Sequence, residues 1–142
     1  MSVTLILNGK GRDIISLSPE HTIAEAARML AERRIGAVLV TGGDGAIAGI
    51  LSERDVVRAL ATSGAGGLEH PISHHMTAKV ETARESDTIP AIMEKMTTGK
   101  FRHMPVVESG RIVGIVSIGD VVKYRLAEME AETQAMREYI TA

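Results

Sequence analysis

The chain has 142 residues, which suits one domain or two very small ones that share a core. Apolar residues make up 44%, but the only aromatic residues are one Phe and two Tyr, which argues against a stacking platform for single-stranded nucleic acid. The net charge of -2 argues against a duplex-binding surface, and the absence of cysteine excludes disulfides, thiolate chemistry and a Cys-built zinc site. Without an apolar run long enough for a signal peptide or a membrane span, we expect a soluble cytoplasmic protein.

The first half of the chain predicts a strand, a helix, a hairpin and a second helix. Thr22 and Glu25 have the spacing of a capping box, which marks a helix start. The apolar runs on either side of the turn TGGDG are typical of a hairpin. In chain order the predicted elements are an extended run at 13–18, the helix after Thr22, strands at 36–40 and 46–51, and a helix that stops at Gly64.

The second half repeats this order after the linker SGAGGLEHP. It predicts a short strand in VETA, a helix at 89–98, strands in HMPVV and RIVGIV, and a helix from about Ser117. The clearest match between the halves is GILSERD at 49–55 with GIVSIGD at 114–120. An internal repeat of this kind predicts two copies of one supersecondary unit. We place the first repeat with the N-terminal segment at 1–68, the second at 69–127, and a C-terminal helix extension at 128–142.

The last predicted helix continues well beyond its counterpart in the first repeat. Its apolar residues recur at alternating steps of four and three, which is a short a/d seam. The seam either packs on its own domain or forms a dimer contact, and we favour the dimer beyond Leu126 because Glu128, Glu130 and Glu132 keep the other side polar. The seam residues are Val122, Leu126, Met129, Thr133, Met136 and Ile140.

Each repeat places Ser and Asp where a strand turns into a helix, as Ser52 with Asp55 and Ser117 with Asp120. The pattern fits a capping box, in which the two side chains satisfy free N–H groups. It also fits a nucleotide site, because the N-terminus of a helix favours a phosphate and the carboxylate can accept hydrogen bonds from ribose hydroxyls. The duplication, with Gly three residues before each Ser, favours the nucleotide.

Basic residues precede the hairpin of the second repeat only. Arg102 and His103 are suited to a phosphate, whereas the first repeat has Gly36 and Ala37 there. The alternative is a solvated Arg and a hydrogen-bonded His. Three further histidines, His70, His74 and His75, lack the carboxylate set of a metal site, so we predict no metal. No nucleophile with a base and no Walker-type loop is present, and we predict no enzyme and no catalytic cofactor.

The paired Gly-aliphatic-aliphatic-Ser-x-x-Asp segments, the run RHMPVVESGRIVGIVSIGD and the preceding HHMT resemble a tandem CBS-domain protein, a Bateman module of the stand-alone type. The resemblance covers about 13–126. It implies an α/β (α+β) fold of two βαββα repeats, whose three-stranded sheets pack as a pseudo-twofold pair with clefts between them. It also implies a disc-like homodimer, which agrees with the extended C-terminal helix.

In this family the clefts bind adenosyl compounds. The Asp of the motif contacts the ribose, and the Ser contacts the phosphate. AMP is our first choice, with ATP, ADP, NAD and S-adenosylmethionine as alternatives. The resemblance further implies phosphate contacts from basic residues before the second strand, and adenine contacts from the first strand and hairpin. In the first cleft, which has Gly36 and Ala37 instead of basic residues, Arg34 or Arg54 is the substitute cation. By position the binding residues are Ser52, Asp55, Arg54, Ile15 and Ser16 for one cleft, and Ser117, Asp120, Arg102, His103, Met104 and Thr82 for the other.

The sequence thus predicts a sensor that binds an adenine nucleotide and transmits its occupancy to an unknown protein partner by a conformational shift. We expect a homodimer through the CBS faces and the C-terminal helix, and no nucleic-acid or membrane partner. The alternative is a dimeric interaction scaffold that keeps the Ser–Asp motif only for folding and works without ligand.

Overall fold

The chain folds into two compact units, as a computed structural model that describes residues 1–141 shows. One unit is Ile14–Val80, and the other combines Met1–Asp13 with the chain from Glu81 onward. This division differs from the predicted boundaries, which assigned the N-terminal segment to the first repeat. The segment packs with the second repeat because its first helix buries Val3, Ile6 and Leu7 in that repeat's core.

The Ile14–Val80 unit contains a three-stranded sheet and two helices. The central strand β2 (Ala37–Thr41) is flanked by β1 (Ser16–Leu17), which runs parallel to it, and by β3 (Ile47–Ser52), which runs antiparallel to it. The Thr22 hydroxyl accepts a hydrogen bond from the Glu25 N–H, so the predicted cap is present. The elements are β1 (Ser16–Leu17), α2 (Ile23–Arg33), β2 (Ala37–Thr41), β3 (Ile47–Ser52) and α3 (Glu53–Ser63).

The core of this unit lies between the sheet and its helices. It forms because α2 directs its apolar stripe toward the strands, where Ile23, Val38 and Leu51 are completely buried. After α3 the chain continues through two short 3-10 turns, Gly64–Glu69 and Ile72–His74. Ile72 in the second turn also enters the core, so the predicted linker is partly structured.

As far as the structure describes it, to residue 141, the other unit contains three α-helices and a two-stranded antiparallel sheet. The last helix, α5 (Ile118–Thr141), has 24 residues, whereas its counterpart α3 has 11. This confirms the prediction that the C-terminal helix extends beyond its counterpart in the first repeat. Among residues 1–141, no helix has both the length and the hydropathy needed to cross a bilayer. The elements are α1 (Val3–Lys10), α4 (Ile89–Gly99), β4 (His103–Glu108), β5 (Arg111–Ser117) and α5 (Ile118–Thr141).

The second sheet has one strand fewer than the family resemblance implies. Where a first strand is expected, Ala83 forms a single parallel bridge with Val106. The extended run ends there because the Arg84 N–H donates to the Asp87 side chain at 2.9 Å, which turns the chain into the start of α4.

Candidate functional site

The Ser–Asp motif of the first repeat forms a complete capping box at the start of α3. Ser52 ends β3, and its N–H and hydroxyl donate to Asp55 Oδ2 at 2.8 Å and 3.1 Å. In return the Asp55 N–H donates to the Ser52 hydroxyl at 3.4 Å. Asp55 is only 6% exposed, and Arg58 approaches its other carboxylate oxygen at 3.4 Å. Both carboxylate oxygens of Asp55 therefore have partners within its own unit.

The Ser–Asp motif of the second repeat has the same reciprocal hydrogen bonds but a different cation. The Ser117 N–H donates to Asp120 Oδ2 at 2.9 Å, and the Asp120 N–H donates to the Ser117 hydroxyl at 3.2 Å. Lys10, from the end of α1, donates to the same Oδ2 at 2.6 Å and to the Ile115 carbonyl at 3.0 Å. The N-terminal helix thus places a positive charge directly on this carboxylate.

The surroundings of Asp120 favour its charged form. Partial burial by itself would raise the pKa of this carboxyl. The hydrogen bond from Lys10, the backbone N–H of Ser117 and the charge of Lys10 together outweigh burial, and the pKa is lowered from its ordinary value of 3.8. The carboxylate is therefore a hydrogen-bond acceptor throughout the physiological pH range.

Arg102 precedes β4 and His103 begins it, beside the second motif. His103 is the cross-strand neighbour of Ser117, and the Arg102 carbonyl accepts from the Ile118 N–H at 2.8 Å. In the first repeat Ala37 is the cross-strand neighbour of Ser52, and the Gly36 carbonyl accepts from the Glu53 N–H at 3.0 Å. The two repeats therefore share one backbone arrangement at this point, and the second adds the basic side chains.

A cleft of about 230 Å³ opens next to Arg102. It lies where the end of α4 meets the starts of β4 and α5. Lys100, in the left-handed conformation that ends α4, adds a second cation to its wall. The volume suits part of a nucleotide better than a whole one. Its lining residues are Met96, Thr97, Lys100, Phe101, Arg102 and Ile118.

The remaining predicted contacts differ in how accessible they are. Ser16, Arg54 and Thr82 are exposed, and Ile15 is partly buried against the core of its unit. Met104 is completely buried in the other core, so its side chain can reach a ligand only if it moves.

The three linker histidines form a stacked group of imidazoles. His70 and His75 stack with ring centroids 5.2 Å apart, and His70 Nδ1 lies 3.0 Å from His75 Nε2. The His74 ring is tilted against His70. Within the described part of the chain, no group of three or more His, Cys, Asp or Glu could hold a metal ion.

Comparison with known proteins identifies the family. The CBS-domain model matches the chain twice, at residues 11–62 and 72–127. The chain belongs to the CBS-domain family. A CBS-domain containing protein from Agrobacterium tumefaciens has a solved structure that is 47% identical, with a TM-score of 0.86, over 88% of this chain and 99% of that one.

Other CBS-domain relatives differ in length and in what their structures contain. The CBS domain-containing protein CBSCBSPB5 from Arabidopsis thaliana is 36% identical over 84% of this chain, which spans only 22% of that relative. The CBS domain protein PAE2072 from Pyrobaculum aerophilum, complexed with AMP, is 30% identical, with a TM-score of 0.80, over 94% and 99% of the two chains. The CBS domain pair of protein MJ0100, in complex with 5'-methylthioadenosine and S-adenosyl-L-methionine, is 27% identical, with a TM-score of 0.80, over 90% and 98%.

Sequence reasoning missed Lys100 on the wall of the cleft and Lys10 at the second CBS motif. Lys10 is the more informative of the two. Lys10 precedes the repeat, and α1 was not predicted because the segment is short and the apolar Leu5 obscures the helical spacing of Val3, Ile6 and Leu7. Only the packing of α1 on β5 and α5 brings Lys10 to Asp120. No signal in the sequence alone could have found this pair.

Proposed function

We propose that this CBS pair is a regulatory module that binds an adenosyl ligand and transmits its occupancy to a protein partner. The observation that carries the proposal is the duplicated Ser–Asp motif at a strand end and helix start, with Arg102 and His103 beside the second copy. Support comes from the AMP and S-adenosylmethionine complexes of the related CBS proteins.

In the second repeat, each side chain is suited to one part of the ligand. Asp120 accepts from the ribose hydroxyls, while Ser117 and the N-terminal end of α5 favour the phosphate. Arg102 and His103 add charge for the same phosphate, with Lys100 on the wall of the adjoining cleft. Thr82 and Met104 remain predicted contacts for the adenine.

In the first repeat, Asp55 accepts from the ribose hydroxyls, and Ser52 and Arg54 contact the phosphate. The predicted adenine contacts there are Ile15 and Ser16. Asp55 is more buried and already has partners for both oxygens, so ribose binding has to displace Arg58. We therefore propose the second repeat as the better phosphate site, with AMP as the first-choice ligand.

Signalling requires that the ligand bind one conformation of the module more tightly than another. A ligand with equal affinity for both conformations would shift no population. Helix α5 begins immediately after Ser117, so a ligand held at Ser117 and Asp120 contacts the start of the longest helix in the described chain. That helix is our candidate for the element that carries the signal.

Isothermal titration calorimetry of the full chain with AMP, ATP, NAD and S-adenosylmethionine tests the proposal. We expect saturable heat with at least one of them, and AMP to bind more tightly than adenosine because of the phosphate contacts. Mass spectrometry of small molecules released from the purified protein should identify an adenosyl compound. No heat and no thermal shift with any of the four would overturn the proposal.

A ligand-independent dimeric scaffold is the second candidate, and the reciprocal capping boxes favour it. In both repeats the Ser and Asp side chains already satisfy the N–H groups at the start of the following helix. A scaffold predicts that a partner captured by the wild-type chain also binds when nucleotide has been removed. A sensor predicts that nucleotide changes the affinity for that partner.

A further inference from the structure

The C-terminal half of α5 presents an apolar face that its own chain leaves uncovered. Every residue from 129 to 141 is exposed, whereas the first turn of α5 packs against the core through Val121. The exposed fractions of Leu126, Met136 and Ile140 are 56%, 61% and 74%. Most of the stability of a helix in a protein comes from the packing of its apolar face, so this face is suited to a packing partner.

Four exposed apolar residues and Thr133 lie at the contact positions of a heptad repeat, while the exposed Tyr139 lies at a flanking g position. With the seven positions written a to g, Leu126, Thr133 and Ile140 occupy a, while Met129 and Met136 occupy d. A groove of about 370 Å³ runs along this face of the helix. Such a face fits another helix with the same spacing, and α5 of a second copy has that spacing.

The charges beside the seam favour one orientation of two such helices. Arg125 and Glu132 occupy g positions, and Glu130 and Arg137 occupy e positions. In a parallel pair, each g residue faces the next e residue of the other helix. Arg125 then faces Glu130 of the second copy, and Glu132 faces Arg137 of the second copy, so both contacts are attractive.

An antiparallel pair would bring like charges together. In an antiparallel pair, e positions face e positions and g positions face g positions. If Leu126 packs against Met136 of the other helix, Glu130 then faces Glu130 of the second copy. Glu132 would likewise face Glu132 of the second copy, and Lys123 would face Arg137 of the second copy. Like charges that face each other across an interface repel, so they disfavour the antiparallel arrangement.

We propose that α5 from Val122 onward forms a parallel, in-register, two-stranded coiled coil with α5 of a second copy of this chain. Arg125 holds Glu128 and lies 3.9 Å from Glu132 of its own helix, so part of this charge row is already ordered. The parallel orientation also places the two Ser117–Asp120 motifs at the same end of the dimer. This inference does not depend on nucleotide binding.

Cysteine cross-linking of the full chain tests the orientation, because the natural sequence has no cysteine. Leu126→Cys and Ile140→Cys, made separately, should each form an intermolecular disulfide under mild oxidation, since equal a positions meet in a parallel in-register pair. Ala131→Cys, at the outward f position, is the matched control and should not cross-link. An antiparallel pair has one crossing point and can cross-link at no more than one of the two seam sites.

Charge reversal tests the pairs that set the orientation. Glu132→Arg alone and Arg137→Glu alone should each weaken the dimer about tenfold in sedimentation velocity, because two like-charge contacts replace two attractive ones. A mixture of the two variants should recover the wild-type affinity as a heterodimer. A wild-type chain that remains monomeric, unchanged affinity in the single variants, or cross-linking at only one seam site would overturn the proposal.

Discussion

Asp55 and Asp120 hold equivalent positions in the two repeats but have different cations beside them. Asp55 is held by Arg58, one turn further along its own helix, at 3.4 Å. Asp120 is held by Lys10, from a helix that precedes both repeats, at 2.6 Å. The sequence predicted the two carboxylates and their Ser partners. It could not predict Lys10, because that contact depends on the packing of a segment outside the repeat.

The Lys10–Asp120 ion pair should give the protein a measurable pH dependence. A carboxyl whose pKa is lowered by folding stabilises the fold above its unfolded pKa and loses that contribution as pH falls through the folded pKa. Lys10→Met should therefore cost about 1 kcal/mol in the free energy of unfolding at pH 7. The difference from wild type should stay constant down to about pH 5 and shrink as pH falls below 3.8, leaving the part that Lys10 contributes through the Ile115 carbonyl.

Urea denaturation at a series of pH values measures this difference. Lys79→Met removes an exposed lysine that has no ion pair within the described residues, and it should show no such dependence. A difference between Lys10→Met and wild type that persists unchanged at low pH would mean that Lys10 stabilises the fold by packing and not by charge.

Among the elements, β3 and β5 share a glycine three residues before the Ser because another segment crosses each strand there. A Cβ at Gly49 would lie 2.7 Å from the Thr77 carbonyl oxygen and 2.7 Å from Met76 Sδ. A Cβ at Gly114 would lie 2.6 Å from Leu7 Cδ2 on α1. The sequence showed that the glycine recurs, but only the structure shows what each one makes room for.

Replacing either glycine by alanine should destabilise its unit through overpacking. Gly49→Ala meets backbone, which cannot move aside, and should fall at the upper end of about 1–3 kcal/mol. Gly114→Ala meets the end of a buried side chain and should cost less. Gly43→Ala, with no atom within 4 Å of the new Cβ, is the control and should be nearly neutral in urea denaturation. Equal effects at all three positions would contradict the close approaches.

Periodicity predicted the helices that pack on their own sheets better than the segments that depend on tertiary context. Thr22 and Thr88 both cap their helices, as local sequence indicates. Helix α1 is stabilised by the burial of Val3, Ile6 and Leu7 in the core of the second repeat, and the local sequence does not indicate that packing partner. The missing strand near Ala83 has the same origin, because a turn at Asp87 overrides its extended tendency.

At the scale of the whole molecule, the duplication predicted two equivalent motifs, and the structure makes them chemically unequal. The second has the Lys10 charge on its Asp, His103 across the ladder from its Ser, and the Arg102 cleft beside it. The first has a more buried Asp and the small residues Gly36 and Ala37. A ligand with a phosphate should therefore fill the second repeat first.

Calorimetric titration of Asp120→Ala with AMP tests the central claim most directly, with Thr88→Ala as the matched control. Thr88 caps α4 by accepting from the Ala91 N–H, and Asp120 accepts from the Ser117 N–H, so each variant loses a helix-capping hydrogen bond worth about 1 kcal/mol. Asp120→Ala also loses the Lys10 ion pair and the proposed ribose contact, and Lys10→Met controls for the ion pair. We predict that Asp120→Ala weakens AMP binding at least about tenfold, or about 1.4 kcal/mol, while Thr88→Ala retains the wild-type affinity. Wild-type affinity for AMP in Asp120→Ala, together with the loss of cap stability, would contradict the account and leave the motif a purely structural one.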